Sequence, residues 1–151
     1  MISARAAVLL LLAVPAGLAC GDEDGTADRF RDGYNQAIER LNEVNSSIQE
    51  SGEALAAAPG DEIGREFDRI AETAARTRAE LAELEPPEQA QEEFDELLAA
   101  VQEGIKDIRA AADAARTENQ NRFNEAAERL SESGEDIAAA EQELKDAVES
   151  D

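Results

Sequence analysis

Cys20 is the only thiol in the sequence, and carboxylates are the only other abundant groups with acid–base chemistry, since the chain has no His. Without His there is no Ser-His-Asp triad, no haem His ligation, no Glu-x-x-His di-iron site and no HExxH zinc motif. Gly-rich phosphate loops are missing as well. The adjacent or near-adjacent carboxylates Glu92 and Glu93, Asp95 and Glu96, and Glu141 and Glu143 resemble acid–base pairs only on paper. Each pair falls outside the apolar rows described below. A catalytic carboxylate needs a cleft that perturbs its pKa, and a solvated helix face supplies none. The sequence therefore predicts a non-enzyme, with no catalytic residue, no cofactor and no resident metal. A lone cysteine also excludes an internal disulfide.

The position of Cys20 gives its thiol a different task. A short amino-terminal region with one positive charge, Arg5, leads into an apolar run from Ala6 to Val14 and then into small residues before the cysteine. That is the layout of a signal peptide. The run is shorter than the about 20 residues of a spanning helix, and Asp22, Glu23 and Asp24 follow at once. Gly17, Leu18, Ala19 and Cys20 resemble the lipobox of bacterial lipoproteins, although Gly17 stands where a branched aliphatic is most common. The resemblance implies cleavage between Ala19 and Cys20, a diacylglyceryl group on the Cys20 sulfur, and an amine open to further acylation. Two acyl chains suffice for stable attachment where one is marginal. An ordinary secretory peptide cut after Ala19, with Ala16 and Ala19 as the small residues, is the alternative. The chain's sole cysteine stands where the modification needs it, which favours the lipobox.

The charge balance narrows the partners. The chain has 14 Lys plus Arg against 36 Asp plus Glu, a net charge of −22. Loss of residues 1–19 removes Arg5 and no acid, leaving 13 basic residues against 36 acidic ones and a net charge of −23. Phosphate backbones and anionic lipid surfaces are bound through basic patches, so neither nucleic acid nor an anionic headgroup layer is an expected partner. Residues 20–26 read as the lipidated cysteine and a short acidic tether. Asp22, Asp24 and Asp28 do not make a calcium loop, because the glycine comes too early and no Glu closes the frame.

From Ala27 onward apolar residues recur at steps of three and four. Phe30, Tyr34, Ala37, Leu41, Val44, Ile48, Ser51 and Leu55 mark a first helix over 27–57, which Pro59 and Gly60 end. Ile63, Phe67, Ile70, Ala74, Thr77, Leu81 and Leu84 mark a second over 62–85, with Asp61 as its expected N-cap and Pro86 as its stop. Pro87 then suits the first position of a third helix over 88–117, along Phe94, Leu98, Val101, Ile105, Ile108, Ala112 and Ala115, with Leu97 widening the row. Continuing that register puts Asn119 and Arg122 in the core, whereas the next apolar set, Phe123, Ala126, Leu130, Ser133, Ile137, Ala140, Leu144 and Ala147, is one residue out of phase. A turn near Thr117 to Asn121 and a fourth helix over 121–148 follow. One long bent C-terminal helix is the alternative, because the break contains neither Gly nor Pro. The expected fold is an all-α, up-down-up-down four-helix bundle over 27–149, or a three-helix bundle if the break is a bend. Antiparallel packing would place two of the four phenylalanines at each end. Ser51, Thr77 and Ser133, the polar residues of the rows, are expected to bond a carbonyl one turn back. Gly33, Gly52, Gly104 and Gly134 are expected to mark close contacts or bends.

Taken whole, the chain resembles the small Ala-, Glu- and Arg-rich helical lipoproteins of high-GC actinobacteria. The resemblance is carried by Gly17 to Cys20, by Leu84-Glu85-Pro86-Pro87, and by Phe94, Leu97 and Leu98. It implies a cell-membrane lipoprotein on the extracytoplasmic face, held through Cys20, and it implies no activity. Two functional classes remain. One is a non-catalytic module that contacts an envelope protein or wall component. The other is a binding module for a divalent cation or a small apolar ligand, which needs a cavity such as the alanine layers near Ala112 and Ala140 would leave.

Overall fold

A computed structural model describes residues 26–54 and 60–149 of the 151-residue chain, with side chains described for 28–50 and 60–149. The expected signal peptide, Ala19, Cys20 and residues 21–25 of the expected tether lie outside the described residues, as do the side chains of Ser51, Gly52 and Leu55, whereas Thr26, the last tether position, opens α1. The described chain is all-helical: α1 Thr26–Ala54, α2 Gly60–Leu81, α3 Gln91–Arg116 and α4 Gln120–Glu149, with a single 3-10 turn Glu88–Ala90 before α3. The helices form a four-helix bundle in which α1 packs on α2, α2 on α3 and α3 on α4. No described helix is long and apolar enough to cross a membrane.

The helix ends differ from the sequence expectation in three places, each for a local reason. Helix α2 stops at Leu81, four residues early. The two prolines force the residues before them away from helical geometry, and the chain tightens into i→i+3 bonds from Glu83 and Leu84. Asp61 lies inside the first turn of α2 and not at its N-cap, because the helix already begins at Gly60. Pro87 adopts an extended backbone, φ −55° and ψ 147°, ahead of the 3-10 turn, so α3 starts at Gln91. The break at Thr117 to Asn119 is a true turn. Glu118 takes φ 50°, a left-handed conformation that usually falls to glycine, and the Asn119 side chain caps α4 by accepting the Arg122 N–H at 3.1 Å.

Both ends of the bundle are closed by aromatic pairs. Phe30 of α1 meets Phe94 of α3 edge-on at 5.6 Å, and Phe67 of α2 meets Phe123 of α4 edge-on at 6.0 Å. Between them α3 is the central helix. It buries Leu97, Val101, Ile105 and Ile108 together with Ala111, Ala112, Ala114 and Ala115. Leu97 is the fully buried residue at that level, while Leu98, one position round, is half-exposed. Glycine allows the closest approach of α2 to α3: a Cβ at Gly60 would lie 2.3 Å from the Ala115 carbonyl oxygen. Arg116, at the end of α3, bonds the Gly64 carbonyl at 3.1 Å and pairs with Asp68, tying the same two helices.

Candidate functional site

The bundle is not closed all the way round. Helices α1 and α4, first and last in the chain, approach each other less closely than the consecutive helices do, and a cleft of about 110 Å³ opens between them. Its floor is Val101, Ile105 and Ile108 of α3, all buried. Leu41 and Ile48 form the α1 wall, and Leu130 and Ile137 form the α4 wall. All four wall residues belong to the apolar rows, yet each is only half-buried because the opposite helix stands back. Gly104 helps to shape the floor: a Cβ there would sit 3.4 Å from Ile137 Cδ1, at the short end of ordinary contact. Ala112 and Ala140, the expected lining of a cavity, are buried and take no part in it. Small alanines let their helices close, whereas the gap lies among larger side chains of α1 and α4.

The lips of the cleft carry no charge along three turns. On α1 they are formed by Asn42 and Asn45, with Ile38 and Gln49 in the same row at steps of four and three. On α4 they are formed by Gly134 and Ala138, with Ala127 and Ser131 in the same row. These eight positions are uncharged in a chain of which 33% is charged. Gly134 differs from the other described glycines: a Cβ there would meet nothing within 4 Å. No close contact inside the bundle accounts for it.

Polar groups cluster at two points of the cleft. Ser133 is buried at its base and donates its hydroxyl proton to Asp107 Oδ2 at 2.8 Å, while Arg129 Nε donates to Oδ1 of the same carboxylate at 2.9 Å. This corrects the expectation of a backbone acceptor for Ser133; a carboxylate on α3 is within reach and is the stronger acceptor. Thr77 does bond back to the Thr73 carbonyl, at 3.1 Å. At the end of the cleft nearer the start of α1 stand Glu141 and Tyr34. Burial pushes the Glu141 carboxyl up to about 7. Burial also pushes the Tyr34 hydroxyl above its ordinary range, and the Glu141 carboxylate adds to that.

The other carboxylates of the sequence pairs stay apart from this site. Glu92, Asp95, Glu96 and Glu143 are exposed. Glu93 is half-buried at the start of α3, and its Oε2 has no hydrogen-bond partner among the described residues. Among the described residues no group of three or more His, Cys, Asp or Glu converges as metal ligands would. Sequence reasoning placed Glu141 on a solvated face, which its burial beside the cleft corrects, and it missed the lips. Glu141 was legible as one step off the α4 apolar row, and the lips as two rows free of charge, but only the gap between α1 and α4 gives either a meaning. Comparison of the chain with protein-family models, with curated proteins and with solved structures returns no match. Fold and site define an acidic four-helix bundle with an open, largely apolar α1–α4 seam, whose lips are uncharged over three turns and which Glu141 lines at one end.

Proposed function

We propose that this chain is a lipoprotein of the cell membrane, anchored through acylated Cys20 on the extracytoplasmic face, whose helical bundle is a non-catalytic module for contact with another envelope component. The open α1–α4 seam carries the interaction half of this reading. A bundle that only filled space would gain by closing that seam over Leu41, Ile48, Leu130 and Ile137, each already half-buried, by a fraction of the about 1.5–3 kcal/mol that complete burial of a large apolar side chain brings. The order of Arg5, the apolar run and Gly17-Leu18-Ala19-Cys20 supports the anchor. A second reading, a small apolar ligand held in the seam, draws on the cleft itself, although at about 110 Å³ and open to water it is smaller than the dry cavity of about 150 Å³ that holds benzene.

Fractionation tests the anchor. The parent chain should sediment with membranes, and Cys20→Ser should release the protein or leave its leader uncleaved. A Cys20→Ser protein that is processed and membrane-bound like the parent would falsify the lipoprotein assignment.

A further inference from the structure

We propose that the α1–α4 seam is the docking groove for a basic amphipathic helix of a partner protein, an inference that rests on the interaction reading above and names its surface and the chemistry of its occupant. Three observations select this occupant. The cleft, about 110 Å³, suits one or two inserted aliphatic side chains and is too small for a whole acyl tail. Its lips are rows at steps of three and four on two helices of 29 and 30 residues, which suits a helix laid lengthwise, whose anchors recur at i, i+3, i+4 and i+7. Gly134 and Ala138 on one lip leave room for a third backbone to approach, and the open space over Gly134 is not used by the chain itself.

Charge then decides between a partner and a second copy. The row outside the α4 lip holds Glu128 and Glu135, and that outside the α1 lip holds Glu39; all three are exposed and in no ion pair among the described residues. The two basic residues near the far end of the seam, Arg31 and Lys145, are each paired with a carboxylate of their own helix, Asp28 and Glu149. A second copy of the processed chain, with 13 basic against 36 acidic residues, would bring −23 against −23. A helix with leucine anchors and lysine or arginine flanks meets apolar walls in the middle and unpaired acids outside them.

The test uses the full chain in phosphatidylcholine nanodiscs, with empty nanodiscs as the blank. The probe is a synthetic leucine–lysine peptide of about 18 residues, long enough to be helical on the groove. One version has its leucines in a single stripe, and the other has the same composition with leucines scattered round the helix. At about 0.15 M salt, where exposed charges act only over about 8 Å, the striped peptide should bind about tenfold or more tighter than the scattered one. Gly134→Trp, which fills the lip from open space, should remove that difference without lowering the thermal midpoint. Ala138→Arg serves as a second block should tryptophan disturb the fold. Equal binding of the two peptides, no binding of either, or indifference to both substitutions overturns the proposal. A dimer of the chain that Gly134→Trp dissociates overturns it as well, because the groove would then belong to a second copy. These outcomes leave the anchor untouched, since membrane attachment is read separately from Cys20→Ser.

Discussion

Glu141 shows how the open seam changes the chemistry of a single side chain. In the unfolded chain it ionises near 4.5, and in the folded chain, half out of water beside Tyr34, near 7. Between those values the folded state keeps a proton that the unfolded state has lost, so stability falls as pH rises through the window and levels off above it. The full contribution is present below about 4.5. Glu141→Gln removes the ionisation. It should leave stability near that of the parent at about pH 4 and exceed it at about pH 8 by about 1–2 kcal/mol, a figure discounted for the water that reaches a rim carboxyl. Urea unfolding of both proteins across that range measures the difference, and a gap that does not change with pH refutes it. Elsewhere along the seam Asp107 accepts hydrogen bonds from both Ser133 and Arg129 and so pins α3 to α4.

At the scale of the helix, burial follows position around the bundle more than rank in an apolar row. Leu97 and Leu41 look alike in sequence, yet Leu97 is fully buried in the central helix and Leu41 lines the half-open wall of α1. A charge placed at Leu97 has neither water nor a partner, whereas one at Leu41 turns toward the cleft. Leu97→Asp should therefore unfold the domain at 25 °C. Leu41→Asp should lower the midpoint but leave a cooperative transition, and Glu72→Gln, on an exposed face, should shift stability by a few tenths of a kcal/mol at most. Equal thermal midpoints for the three would sink this ordering. The same contrast marks what the sequence made legible. The four registers and the phase slip after Ala115 are local facts, carried by steps of three and four, and so the number of helices and the Phe30–Phe94 and Phe67–Phe123 pairings could be derived. The turn at Thr117 to Asn119 was readable from that slip, although its left-handed residue, Glu118, was not, because non-glycine residues take that conformation only where the surrounding packing holds them. How far α1 stands from α4 is a balance among whole helices. No single residue encodes it, and the candidate site depends on it.

At the scale of the whole molecule the dominant fact is charge: 36 acidic residues against 14 basic ones. Most of the ion pairs are partly exposed and several lie within one helix, as in Arg69 with Glu66 and Lys145 with Glu149, so they offset little of the repulsion. Like charges are closer together in the compact bundle than in the expanded chain, and the repulsion therefore opposes folding. The same repulsion should favour opening where the helices pack least closely, at the α1–α4 seam. Screening should act on both. Raising sodium chloride from about 0.01 M to about 1 M shortens the Debye length from about 30 Å to about 3 Å, and the thermal midpoint should rise by roughly 5 °C or more. A divalent cation bound at a specific site would behave differently, adding stability that grows with the logarithm of its concentration once past its dissociation constant. No cluster of three or more ligands exists among the described residues, so calcium and magnesium at matched ionic strength should do little more than sodium. Melting curves in the three chlorides separate the cases. A calcium-specific rise at sub-millimolar concentration would make this a cation-binding module after all, while a midpoint indifferent to every salt would mean that the carboxylates lie too far apart to strain the bundle, and the openness of the seam would then need a cause other than charge.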